Sequence, residues 1–189
     1  MTAIPQSAAK PRAPAAPKAQ QNVMRTPFIE KVVVNIGVGE GGEKLVKATK
    51  VIEMLTKRKP VKTISKTINR EWAVRIGMPI GCKVTLRGKD AEEFLKRALW
   101  ITQSKVGLYS FDREGNLSIG IRDYTDFQGM KYDPEIGIFG MDISVTMRRK
   151  GSRISRKKRG TRPIPKKQRL SVKESVEFFR NKFNIEVVR

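Results

Sequence analysis

Apolar and polar residues alternate strictly in four stretches of the chain. Val32, Val34 and Ile36 oppose Val33 and Asn35; in CKVTLRG, Cys82, Val84 and Leu86 oppose Lys83, Thr85 and Arg87. Leu117, Ile119 and Ile121 oppose Ser118, Gly120 and Arg122, and Met141, Ile143, Val145 and Met147 oppose Asp142, Ser144, Thr146 and Arg148. A period of two belongs to strands with one buried face. β-Branched content places the first strand over Lys31 to Val38, and a further short strand is predicted over Val61 to Ser65.

Other stretches carry the helical period. Leu45, Ala48, Ile52 and Leu55 share one face of a helix predicted from Glu43 to Arg58, with Pro60 ending it. Asp90, with Glu93 three residues on, has the form of a capping box opening a second helix, which buries Phe94, Leu95, Ala98 and Leu99. Ser171 and Glu174 repeat that form ahead of Val172, Val176, Phe179 and Phe183, a short helix that docks back on the domain. The expected architecture is α+β: a mostly antiparallel sheet with helices packed on one face, an open basic face, and a long basic loop and extensions. The open face carries Asn35, Lys83, Thr85, Arg87, Arg122, Thr146 and Arg148. Plain solvation would account for a polar face, but basic residues there greatly outnumber the one acid, Asp142. The face lacks paired aromatics, so it would bind RNA by hydrogen bonds and phosphate contacts rather than by base stacking.

Charge turns this architecture toward a partner. Lys and Arg number 40 against 18 Asp and Glu in 189 residues, a net charge of +22, which predicts a polyanion, nucleic acid before membrane. No apolar run is long enough to span a bilayer, and prolines interrupt any signal-peptide pattern. With no histidine and one cysteine, Cys82, the chain can form no internal disulfide and has no ligand set for structural zinc and no Ser-His or Cys-His pair. Asp123 and Asp126 are the nearest approach to a carboxylate pair for a metal, and they read as solvated loop residues.

Gly37, Gly39 and Gly42 spell G-x-G-x-x-G between a strand and a helix, the written form of a dinucleotide site. Such a site wants an acid roughly 20 residues further on for the ribose. Here that region reads KRKPVKTISK, and Glu40 and Glu43 would repel a pyrophosphate. The glycines are expected to turn the chain, and no cofactor is expected.

Residues 1–21 are rich in Ala and Pro, carry Lys10, Arg12 and Lys18 and no acid, and read as a disordered basic tail. Residues 22–147 form the α+β RNA-binding domain, 148–170 a basic extension and 171–189 the docking helix. Lys66 to Pro79 (KTINREWAVRIGMP) has no clean period and reads as a projecting loop or mobile hairpin. Its Lys66, Asn69, Arg70 and Arg75 suit RNA; Trp72 either stacks on a base or anchors the loop on the core. Twelve of the 22 residues from Arg148 to Arg169 are Lys or Arg and none is acidic. So dense a run, with Arg156, Lys157, Lys158 and Arg159 in sequence, reads as an extension that orders on RNA phosphates.

VVVNIGVGE, RIGMPIGCKVTLRG, FDREGNLSIGIRD and GMDISVT resemble the universal large-subunit ribosomal protein family, number five, that binds 5S ribosomal RNA. YDPEIGIFG, the basic segment and SVKESVEFF resemble its archaeal and eukaryotic branch. The resemblance implies a non-enzymatic structural protein of the central protuberance. It implies contacts with 5S rRNA, large-subunit rRNA, a neighbouring 5S-binding protein and the small-subunit head, and a loop sent toward P-site transfer RNA. The family's RNA-contacting Asn falls on Asn35 and its Thr on Thr85; a polar position before the K-P pair falls on Arg58, where the residue type differs. The tRNA-facing loop falls on Lys66 to Pro79. Of the rival readings, an RNA-modifying enzyme finds no cofactor motif or catalytic constellation, and a free-standing nucleic-acid chaperone would bind many RNAs about equally, which a competition between 5S rRNA and bulk transfer RNA separates.

Overall fold

The computed structural model describes Asn22 and residues 24–188, and the basic tail expected over residues 1–21 lies outside the described residues. Its five-stranded sheet is built around β1 (Pro27–Gly37), which pairs antiparallel with β3 (Pro79–Leu86) on one side and β6 (Met141–Arg149) on the other. β2 (Val61–Ile64) extends the sheet beyond β3 and β5 (Leu117–Ile121) beyond β6, again antiparallel. Valine and isoleucine suit a half-buried pleated surface, and the alternating apolar positions all enter the core. β1 begins at Pro27 rather than Lys31 because its alternation breaks where the pairing with β6 shifts register between Ile29 and Lys31. This bulge leaves Ile29 and Val32, three residues apart, on the same buried side, which a strict period of two forbids.

Two helices cover the apolar face. α1 (Glu43–Thr56) buries Leu45, Ala48, Val51, Ile52 and Leu55, and α2 (Lys89–Ile101) buries Ala91, Phe94, Leu95, Ala98 and Leu99. The glycine-rich turn before α1 has positive φ at Gly39 (79°) and Gly42 (98°), conformations that L side chains avoid. α1 stops at Lys57, which adopts a left-handed conformation. The capping box expected at Asp90 and Glu93 does not form. The turn out of β3 needs φ of 64° at Gly88, so glycine takes the cap position and Asp90 moves into the first helical turn. There it faces the positive end of the helix and pairs with Arg58. Cys82 is buried under α1; burial pushes its thiol pKa up, and a hydrogen bond with Thr49 offsets part of the rise.

The chain after β6 returns to the core through α3 (Val172–Phe183), where the capping box at Ser171 and Glu174 is present in both directions. Glu174 also receives Arg149 at 2.6 Å from the end of β6. Burial pushes the Glu174 carboxyl up, but the Ser171 amide and the Arg149 guanidinium together outweigh it and hold the pKa below its ordinary value. Phe179 is fully buried and meets the rings of Phe111, Phe178 and Phe183 at 5.8 to 5.9 Å between centroids. Beyond α3, β7 (Glu186–Val188) pairs in parallel with β4 (Lys105–Gly107), a second small sheet.

Phe179→Ala removes the aromatic anchor of α3 and should lower unfolding stability by about 3–5 kcal/mol, read from the urea midpoint. A loss under about 1 kcal/mol would show that the helix is held by its cap alone. The depressed Glu174 pKa stabilises the fold fully above the ordinary carboxylate range and stops doing so as pH falls through the folded-state value. The stability gap between the wild type and Glu174→Gln should therefore be present at neutral pH and close in acid; a gap independent of pH would contradict the ion pair's role.

Candidate nucleic-acid interface

The pairing register sets the open face of the sheet in rows. Lys83, Asn35, Asp142 and Gly120 lie side by side on β3, β1, β6 and β5; the neighbouring row is Thr85, Val33, Ser144 and Ser118. Lys83, Thr85, Asp142, Ser144 and Ser118 are exposed and Asn35 is half-buried, because no helix crosses this face. Among the described residues the Asn35 amide and the Thr85 hydroxyl have no intramolecular side-chain partner. The face therefore offers an amide, three hydroxyls, an ammonium and the Asp142 carboxylate, with no aromatic ring among them. Arg87 is exposed just past the end of β3. Such groups reach phosphate oxygens, ribose hydroxyls and base edges. Arg58 stands apart from these rows, leaving α1 at its C-terminal end and pairing with Asp90 at the solvent surface. An exposed pair of this kind is weak, so the guanidinium can exchange its partner for a phosphate.

The segment between β2 and β3 is a hairpin-like excursion. Ser65 donates its N–H to Met78 O at 2.8 Å at its base, and Asn69 and Val74 exchange backbone bonds of 3.0 and 2.9 Å near its tip. The tip closes through Ala73, whose φ is 52°. Val74 is buried while Trp72 is 73% exposed, so Val74 and not Trp72 turns inward. Lys66, Arg70 and Arg75 are exposed, and Asn69 uses its side-chain oxygen to accept the Glu71 amide at 3.0 Å. Ile64, Ile68 and Ile76 are exposed beside them, which gives the excursion an apolar as well as a cationic surface.

The basic segment is folded back rather than free along its whole length. β6 runs on to Arg149, a 3₁₀ turn covers Ser152–Arg156 and a second covers Lys166–Gln168. Arg148 and Arg156 both reach Glu30, each at 2.6 Å, and Arg169 reaches Glu114 at 3.4 Å. Lys157, Lys158 and Arg159 are exposed and have no ion pair among the described residues. Glu30 escapes a reading by sequence pattern because its partners are remote in the chain. The one signal for it is that it is the first acidic residue of the sequence, ahead of a region otherwise basic or apolar.

Asp123 precedes a short 3₁₀ turn (Tyr124–Asp126) and Asp126 ends it, and among the described residues no group of three or more His, Cys, Asp or Glu could hold a metal. Among the same residues no helix is long and apolar enough to cross a membrane.

Comparison with known proteins gives this geometry a family. Residues 22–75 match the family model for ribosomal protein L5, and residues 79–178 match that for the ribosomal L5P family C-terminus. The chain is 51% identical over 169 residues to the large ribosomal subunit protein uL5 of Thermoplasma volcanium, covering 89% of this chain and 99% of that protein. The protein of the same name from Methanosphaera stadtmanae is 48% identical over 166 residues (88% and 99% covered). That from Sulfurisphaera tokodaii is 50% identical over 168 residues (88% and 95%). The sheet face, the hairpin excursion and the basic segment all fall within the matched span, and the chain belongs to the L5 family of large-subunit ribosomal proteins, structural components of the ribosome and not enzymes.

Proposed function

We propose that the protein binds 5S rRNA through the open sheet face and helps attach it to the large subunit in the central protuberance. The observation that carries this reading is the pair of polar rows, in which Asn35 and Thr85 stand beside Lys83 with their side chains uncommitted inside the protein. A sheet face of this kind, left open by helices that all pack on the other side, has its hydrogen-bonding groups prearranged by the strand register. Lys83 and Arg87 supply phosphate contacts; Asn35 and Thr85 read ribose or base edges. Arg58 and the exposed cations of the 148–170 extension, Lys157, Lys158 and Arg159 above all, contact large-subunit rRNA. A neighbouring 5S-binding protein and the small-subunit head complete the surroundings. The excursion over residues 66–79 reaches P-site transfer RNA, with Arg70 and Arg75 at phosphates and Trp72 on a ribose or base.

Two experiments test this. In a filter-binding competition, 5S rRNA should displace bulk transfer RNA from the protein, whereas a general RNA chaperone would hold both about equally. Within the same assay, Thr85→Val keeps the shape of the side chain, should fold normally and should weaken 5S rRNA binding by about 1 kcal/mol, the value of one hydrogen bond. Unchanged affinity would remove Thr85 from the interface. Deleting Asn69 to Arg75 should leave 5S rRNA binding intact and weaken retention of transfer RNA in the P site of assembled ribosomes. Loss of 5S binding in a folded deletion variant would show that the excursion serves 5S rRNA instead.

A further inference from the structure

Glu30 is out of place in a surface built to attract phosphate. The extension from residue 148 to 170 contains no acid, yet one carboxylate from β1 pairs with two of its arginines, offsetting one of their two charges. Each cation withheld from a phosphate lowers the electrostatic part of RNA affinity. The arrangement needs a geometric reason, and the structure contains one. Glu30 sits at the bulge of β1, where the additional residue leaves the alternation and turns its side chain toward the end of β6. Its Oε2 lies 2.6 Å from Arg148 Nε on the strand, and its Oε1 receives Arg156 Nη1 at 2.6 Å from the last residue of the Ser152–Arg156 turn.

Little else holds that turn. None of its residues is buried, and its Ile154 side chain is exposed. Besides the backbone bonds of the 3₁₀ turn itself, its local bonds are a Ser155 hydroxyl donated to Ser152 O at 2.9 Å and an Ile154 N–H donated to Gly151 O at 3.3 Å, and just beyond it the Thr161 hydroxyl is donated to Lys157 O. The Arg162 N–H reaches back to Ile154 O at 3.4 Å, the long limit of a hydrogen bond. Glu30 is only 17% exposed and is screened less by water than a surface carboxylate; Arg148 is 24% exposed and meets it as a close ion pair without hydrogen-bond geometry, while Arg156 is 44% exposed and adds a hydrogen bond to its pair. Immediately beyond Arg156 the backbone becomes extended, and Lys157, Lys158 and Arg159 follow, all exposed.

We propose that Glu30 is the positioning residue of the basic extension: by holding Arg148 and Arg156 on one carboxylate, it fixes where Lys157, Lys158 and Arg159 leave the domain and so presents them to RNA phosphates in a set direction. Two cations serve as the mount, and three are carried by it. The proposal rests on the reading of the extension as an RNA-binding segment.

The sign of one substitution tests it. Glu30→Gln keeps the size of the side chain and removes its charge, which raises the net charge and frees two arginines. If Glu30 only masks charge, the variant binds large-subunit rRNA more tightly, with a steeper dependence on salt. If it positions the extension, the variant binds several-fold more weakly despite its extra positive charge. Its slope of log affinity against log salt also flattens, by roughly 0.7 to 0.9 for each phosphate that the extension no longer reaches. In the free full-length protein, limited trypsin digestion read by mass spectrometry should cut at Lys157, Lys158 and Arg159 faster than in the wild type. Arg156→Gln, which leaves the bulge untouched, should reproduce that faster cleavage and decides the matter if Glu30→Gln does not fold. Equal or tighter binding by a folded Glu30→Gln, or unchanged cleavage in the folded variants, overturns the proposal. Failure of the wild type itself to bind rRNA would instead sink the RNA reading of the extension, with the cleavage rates still deciding whether Glu30 anchors it.

Discussion

The pairing of β1 with both β3 and β6 is the interaction on which the rest of the molecule depends. It places Val32, Val34 and Ile36 at the middle of the core and, in the same stroke, Asn35 between Lys83 and Asp142 on the other side. A slip of one residue in either ladder would exchange the two faces and send Asn35 into the interior. Burial of the valine face thus locks the position of the polar face to within one register step. The backbone positions of the polar rows are as fixed as the core beneath them, because both are alternate residues of the same strands.

Much of this is legible in the sequence, and where it is not the reason can be given residue by residue. The alternations at Val32 to Ile36, Cys82 to Leu86, Leu117 to Ile121 and Met141 to Met147 mark strands because each has one buried and one open face, the case in which a period of two survives. Ser171 and Glu174 are recognisable because a capping box is a local pattern. Asp90 and Glu93 have the same spacing but follow Gly88, whose positive φ fits the strand-to-helix turn, and local spacing does not reveal which residue a turn will use. The start of β1 is hidden for a related reason: the bulge at Glu30 interrupts the alternation that marks the strand. Trp72 is ambiguous because an aromatic among basic residues suits either role; Val74, two residues on, takes the inward position.

Glu30 illustrates a different limit. Charge runs are read from sequence as undivided blocks, and the block from Arg148 to Arg169 looks uniform. In the fold its cations are of two kinds. Arg148, Arg149, Arg156 and Arg169 are tied to the domain through Glu30, Glu174 and Glu114. Lys157, Lys158 and Arg159 extend into solvent without such ties among the described residues. A scarce carboxylate is informative here in a way that an abundant lysine is not, since each acid in a strongly basic chain must hold its cation against a large excess of competing positive charge.

The parallel pair of β4 and β7 bears on how the molecule is made. Residues 105–107 wait for residues 186–188, and the ring of Phe111 waits for that of Phe179. Synthesis proceeds in one direction and domains generally fold as units. All strands of the five-stranded sheet precede residue 150, but the core on the α3 side closes only with Phe179, Ile185 and the β7 residues near the end of the chain. In chain order the cations of residues 148–170 lie between the last strand of the main sheet and the residues that close its core, so the basic segment is made before the interior it belongs to is complete.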